Sequence, residues 1–316
     1  MAKNNYDPVG TLSVGNVVTT GTTIYKSNFK RYFLVSLRAV GWSIAMGFAA
    51  VGFAIIGGIL YGITKSWLIA IPLVVGWIAV TLYFLARYAT ERAIICRLAY
   101  QELIEAPETT IVATQQLLPR TWGFLRLSWL VGLYLSLVAM ISSFALSIVL
   151  FAVVAAIIYL FKIVTPDPAT SIVIGLLTIG LFLLWIAVLI RYYAYWFVAE
   201  LPMAVESTTS ASVSIRRSKQ LTTTAARRIS LTIAMAFLIT IPISLLGNVP
   251  SVIGQIMSNP AISRDPSTQS MGAILILVGF ALSLLGELFV MPFWQTIKAI
   301  VYYDLRNRRE GGDLIL

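Results

Sequence analysis

The sequence predicts an all-α polytopic membrane protein: six transmembrane helices forming three parallel two-helix repeats, with short interfacial helices on the cytoplasmic side. Three observations lead there. The chain is 59% hydrophobic and 11% charged, with mean hydropathy +0.87, whereas a soluble domain carries about 25% charged residues. Six runs are long and apolar enough to cross a bilayer core, which takes about 20 residues in a helix. The basic residues fall almost wholly on one side of those runs.

The runs are residues 39–61, 67–86, 130–161, 171–190, 229–247 and 272–290. The third exceeds what the bilayer requires, so it tilts or begins at the interface. The fifth contains Pro242, which predicts a kink or an unwound point. Between runs five and six, residues 248–270 hold Pro250, Pro260 and Pro266 and read as the one sizeable outer loop.

Orientation follows from charge. The segments after runs one, three and five contain Lys65, Lys162 and Arg264, and the other 20 of the 23 basic residues lie on the opposite side. By the positive-inside rule both termini face the cytoplasm. The net charge of +10 then forms a collar beside anionic headgroups, and nucleic acid is not an expected partner. The first thirty residues lack the apolar stretch of a cleaved signal peptide, so the first span is expected to act as its own signal.

The repeat shows in the helix ends. Run two closes with LARYATER and run four with LIRYYAYW, placing Arg87 and Arg191 104 residues apart, and MPFW follows 100 residues after Arg191. Arg31, Arg126 and Arg228 mark matching starts. The units span about 11–101, 102–203 and 204–305, with a tail at 306–316. Each unit holds two spans, so all three share one orientation.

The polar segments carry helical patterns. Val14, Val17, Val18, Ile24 and Tyr25 share a face, and Pro107 is placed to begin a helix bringing Ile111 and Leu118 together. These predict helices lying on the membrane surface. The third segment, ESTTSASVSIRRSKQLTTTAARR, reads equally well as a solvated basic linker.

Glu287, in LLGELFVMPFW, is the one acidic residue well inside a run and the candidate intramembrane site. Either it binds a proton or cation beside Pro292, or it sits one turn from the boundary and pairs with a collar residue; its position favours the second. Arg38, Arg87 and Arg191 sit at span ends, where they anchor helices by snorkelling or grip headgroup phosphates with a guanidinium fork. GILYG, with Gly58 and Gly62 four apart, together with Gly47, Gly52 and Gly57, predicts close packing of the first span. Tyr61 and Trp67 fit an aromatic belt.

Catalytic patterns are missing: no G-x-S-x-G, no P-loop and no H-E-x-x-H. Histidine is absent and Cys96 is the single cysteine, which removes intrachain disulfides and His/Cys zinc clusters. No metal or other cofactor is expected, and the protein reads as a non-enzyme. Cys96 is expected to pack as a small apolar residue, with palmitoylation as the alternative. Glu102, Glu105 and Glu108 read as a solvated stretch.

The chain closes with YYDLRNRREGGDLIL. Asp304 has Arg308 at i+4, Gly311–Gly312 is a helix stop, and Arg306, Arg308 and Arg309 are candidate headgroup contacts just beyond the membrane. The run Tyr302, Tyr303, Asp304, Leu305, Arg306, then Arg308, Arg309, Glu310, Gly311, Asp313 and Leu314, resembles the close of the glycerophosphoryl diester phosphodiesterase membrane domain family and related bacterial membrane proteins. Arg217, Ser218, Leu221 and Thr222 match that family's approach to a late span. The resemblance implies a membrane module without the phosphodiesterase domain that names the family, and with it a bacterial cytoplasmic (inner) membrane is expected.

Two functions are expected from this. The leading one is a non-enzymatic module organising lipids, anionic ones foremost, or partner proteins at the cytoplasmic face, with a membrane-protein partner or a homo-oligomer possible. The other is a transporter or channel for a small solute or ion with Glu287 in the pathway.

Overall fold

A computed structural model describes residues 13–161, 168–206, 210–262 and 265–310. The described chain is all α with no strand: α1 (Val14–Ser27), α2 (Phe29–Thr64), α3 (Ala70–Leu103), α4 (Thr110–Leu117), α5 (Thr121–Phe161), α6 (Pro168–Tyr193), α7 (Glu200–Val205), α8 (Ala211–Thr222), α9 (Ala226–Ser258) and α10 (Pro266–Glu310). Six of these, α2, α3, α5, α6, α9 and α10, are long and apolar enough to cross a membrane. The protein is an all-α multi-pass membrane protein.

Most of these helices overrun the bilayer. A helix rises 1.5 Å per residue, so the 45 residues of α10 reach about 68 Å, against a hydrocarbon core of about 30 Å. The surplus has a use. The first turns of α2, α5 and α9 and the last turns of α3 and α10 meet α1, α4, α7 and α8 in one packed layer, referred to below as the basic layer. It contains the continuous hydrophobic core: Tyr32, Val35 and Ala39; Ala93 to Tyr100; Leu117, Phe124 and Leu127; Phe197, Leu201 and Met203; Ile229 and Ile233; Phe293 to Leu305. In the most apolar stretches of α2, α3, α5 and α6, by contrast, no residue is buried by protein. That is what lipid-facing helices require, because acyl chains are as apolar as leucine and supply no drive for the helices to clump.

Each predicted run lies inside one long helix, save that the second begins in a 3-10 turn at Trp67–Ile69 just before α3, but the segments between runs depart from expectation. The supposed outer loop at 248–270 is mostly helix: α9 continues through Pro250 to Ser258, and α10 starts at Pro266. Proline suits a first helical turn, where its missing N–H has no partner to lose. Asp265 caps that start, accepting hydrogen bonds from the side chains and backbone N–H groups of Ser267 and Thr268, which hold its carboxyl down at about 2. Pro242 and Pro292 likewise sit within unbroken helices. The Pro292 carbonyl accepts from Thr296 Oγ1 at 2.8 Å, so it already has a partner.

The glycine expectation falls on the wrong helix. A Cβ at Gly47, Gly52, Gly58 or Gly62 would meet nothing within 4 Å, and one at Gly57 would make an ordinary 3.4 Å contact with Leu73 of α3. The close approach is between α9 and α10, at Gly247 and Gly254 facing Gly279 and Gly272; a Cβ on Gly254 would stand 2.5 Å from the Gly272 carbonyl oxygen. On each helix the two glycines stand seven residues apart, the spacing that returns a side chain to the same seam.

The third polar segment is no linker. Helix α8 is capped by Ser210, whose side chain accepts from Val213 N–H. Its buried stripe is Ala211, Ser214, Ile215, Ser218, Leu221 and Thr222. Half of that stripe is hydroxyls, which hides it from a hydrophobic reading. The hydroxyls dock on the turn 194–199: Ser214 donates to the Ala199 carbonyl at 2.9 Å, and Ser218 and Thr222 to that of Tyr195 at 2.9 and 3.1 Å. Helix α4 starts at Thr110, later than Pro107, and buries Ala113 and Leu117 while Ile111 is exposed. In α1 the expected face is buried at Val17, Val18 and Ile24, with Gly21 set against Ile297 of α10.

Helix contacts close a ring. Besides the hairpins α2–α3, α5–α6 and α9–α10, α3 touches α5, α6 touches α9, and α10 touches α2 and also packs across onto α3. The short helices follow: α4 sits on α3, α8 on α5 and α7, and α1 on α10 and α9.

Candidate functional site

The basic layer is built around buried charge. Glu200, the first residue of α7, points into the space between α3 and α10. Its Oε1 accepts from Arg92 at 2.9 Å and its Oε2 from Lys298 Nζ at 3.1 Å. The Gln295 amide, with its nitrogen turned to Glu200, donates to the same carboxylate at 3.1 Å and accepts from Arg92 Nε at 3.0 Å. Lys298 is only 4% exposed and Glu200 15%. Burial alone would push the Glu200 carboxyl up; Arg92 and Lys298 outweigh it and hold the group below the ordinary glutamate value. Ionised, Glu200 is the shared counter-ion of two cations from two different helices. Cys96 closes the group, its Sγ 3.9 Å from Glu200 Oε2. It is fully buried, as a small packing residue would be.

A polar chain leads from this cluster towards the membrane. Arg92 lies 5.9 Å over the ring of Tyr88, and the Tyr88 hydroxyl donates to Glu287 Oε1 at 2.5 Å. Glu287 thus has a tyrosine of α3 as a partner, where the sequence favoured a basic collar residue. Sequence reading named Glu287 but missed Arg92, Glu200, Gln295 and Lys298. The signal was present. Glu200 in YWFVAELPMAV and Lys298 in WQTIKAIVYY are lone charges in apolar stretches a few turns past a span end.

Nearly every acidic group of the layer is matched. Arg38 pairs with Glu91 at 2.9 Å and Arg31 with Glu102 at 2.8 Å. Arg97 forks onto Glu108 at 2.7 and 2.6 Å and also donates to the Ala204 carbonyl at 2.7 Å. Glu102 and Glu108 are thus ion-pair partners, whereas Glu105 is exposed at a left-handed turn with φ 57°. Glu206 accepts from Tyr302 at 2.9 Å and lies 3.7 Å from Arg217.

The tail is fastened into this layer. Arg306 bonds Glu310 at 2.8 Å and the Tyr100 hydroxyl at 3.0 Å. Glu310 also meets Arg217 of α8. Asp304 takes Arg308 at 3.0 Å, the expected i, i+4 pair, and also Arg228 of α9. Arg309 reaches Thr224 at 2.9 Å. Gly311–Gly312 lies outside the described residues. Of the other span-end arginines, Arg87 stacks 4.9 Å over Trp42, and Arg191 is exposed with its guanidinium 5.8 Å over Tyr195.

Chemically, the buried cluster fixes charge and cross-links helices. Among the described residues no three His, Cys, Asp or Glu side chains gather as metal ligands. Comparison with family models, curated proteins and solved structures finds no match for the chain.

Proposed function

We propose that the protein is a non-enzymatic integral membrane module whose basic layer faces the cytoplasm of a bacterium and organises anionic lipids, or partner proteins, at the membrane surface. The observation that carries this reading is the sorting of charge. Glu91, Glu102, Glu108, Glu200, Glu206, Asp304 and Glu310 are each spent on arginines or lysines within the protein. Lys26, Lys30, Arg126, Arg191, Arg216, Lys219 and Arg227 remain on the surface. The face beside the headgroups is therefore positive, and each such residue contributes about 1 kcal/mol near anionic lipid. The ring of helix contacts supports the threefold repeat as its frame, and the tail resemblance accords with a membrane module.

The test is native mass spectrometry of the protein released from nanodiscs containing equal phosphatidylglycerol and phosphatidylcholine. The reading expects enrichment of the anionic lipid, reduced when Arg216, Lys219 and Arg227 become Gln. Equal retention of the two lipids would refute it.

A second reading is favoured by one observation, the line Glu287–Tyr88–Arg92–Glu200. It joins Glu287, a carboxylate inside an apolar run, to a buried charge network, as a proton or cation pathway would. Glu287→Gln in proteoliposomes decides it: loss of a measurable proton flux favours transport, and no flux in the wild type removes it.

A further inference from the structure

A cavity of about 490 Å³ opens beside the first turns of α5, walled by Arg120, Gly123, Arg126, Trp129 and Leu130 of α5 and the turn before it, by Met203 of α7, and by Ser210 to Ser212 at the start of α8. Its volume lies in the range of small-molecule pockets. Among the described residues two cations and no carboxylate line it. Arg120 is pinned to one wall, its Nη1 donating to the Met203 carbonyl at 3.0 Å and to that of Glu206 at 2.8 Å. Arg126 is exposed and forms no ion pair with the described residues. Trp129 is 71% exposed.

Depth along α5 decides what fits. Leu130 opens the long apolar run, so Trp129 and Leu130 mark the hydrocarbon edge. Arg126 lies one turn, about 5.4 Å, outside it, where lipid phosphates sit. Tryptophan prefers this interface, and a guanidinium matches two phosphate oxygens in a fork. The polar floor, supplied by Ser210 and Ser212, suits hydroxyls on a headgroup. Leu133, 54% exposed, continues the apolar path down the helix.

We propose that this cavity is a specific site for one anionic phospholipid, its phosphate held between Arg120 and Arg126 and its acyl chain laid along Trp129, Leu130 and Leu133. This rests on the lipid-organising reading above and adds a single saturable site to a diffuse positive face. None of the arginines suggested by span ends or by the tail takes part in it.

The experiment uses the full chain, delipidated in mild detergent and titrated with phosphatidylglycerol, with bound adducts counted by native mass spectrometry. One adduct saturates first in the wild type, and Arg126→Gln weakens it roughly tenfold, the worth of one charge-assisted contact. Arg126→Lys falls between, since it keeps charge but loses the fork. Arg216→Gln, on the exposed face of α8, weakens the first adduct far less than Arg126→Gln does. Equal weakening by Arg126→Gln and Arg216→Gln would overturn the site and leave the general reading standing. No preference of the wild type for phosphatidylglycerol over phosphatidylcholine would overturn both. Inorganic phosphate displacing the first adduct at equal concentration would overturn the lipid assignment in favour of a soluble phosphate.

Discussion

Lys298 of α10 and Glu200 of α7 meet at 3.1 Å, and Arg92 of α3 shares the same carboxylate. Two cations depending on one anion make the three positions unequal. Lys298→Met leaves Glu200 paired with Arg92, so its cost is modest. Glu200→Gln leaves Arg92 and Lys298 facing each other without a counter-ion, and removing one partner of a buried pair costs about 3–5 kcal/mol. Thermal unfolding in detergent should therefore place Glu200→Gln well below Lys298→Met. The opposite order would mean that the cluster is not held by Glu200.

The same carboxylate gives the protein an acid limb. Its folded-state value lies below the ordinary 4.5, so in the window between the two the unfolded chain binds the extra proton. The stabilisation is complete above 4.5 and is lost as pH falls through the folded value. Unfolding temperature measured from pH 7 downwards should drop in the wild type, and the Glu200→Gln variant should drop less over the same interval. Parallel curves would assign the acid sensitivity to other carboxylates.

Arg97 and Glu108 form the forked pair that ties α3 to the start of α4. Lysine at 97 keeps the charge and loses the fork, and charged hydrogen bonds of this kind are worth about 1.5–3 kcal/mol. Amide exchange over residues 104–117 should quicken in Arg97→Lys while the α9–α10 seam keeps its protection. Uniform quickening would indicate global destabilisation instead.

Glycines on two helices should respond oppositely. At Gly254 even a methyl group strikes the backbone of α10, so Gly254→Ala should destabilise by about 1–3 kcal/mol through overpacking. At Gly58 the space is open, and alanine should be neutral or stabilise by up to about 1 kcal/mol through helix propensity. Similar melting shifts for the two variants would contradict the seam.

Where the sequence spoke through composition it spoke clearly. Six apolar runs mark six crossing helices, the apolar face of α1 is the buried one, and Asp304 finds Arg308. What it left unsaid has two physical sources. The packed layer is joined by pairs far apart in the chain, such as Arg92 with Glu200 and Tyr88 with Glu287, and one sequence carries no sign of such partnerships. Its surfaces are also built from residues without hydrophobic signal. Alanines line α3, hydroxyls line α8, and the α9–α10 seam is glycine and serine, so periodicity in large apolar residues passes over them. The span-end arginines stood out for their position, while Glu200 and Lys298, two lone charges in apolar surroundings, marked the centre of the layer.

The long helices are gripped at one end and, apart from the α9–α10 seam, wetted by acyl chains along most of the other. Mechanically they are levers with a fixed fulcrum. The fulcrum is set by side chains, but the spread of the free arms is set by the lateral pressure of the surrounding membrane. A thinner or more fluid bilayer is therefore expected to shift the angle between hairpins before it loosens the layer that holds Arg92 and Lys298. For this architecture the lipid composition is a structural variable on the same footing as a point mutation.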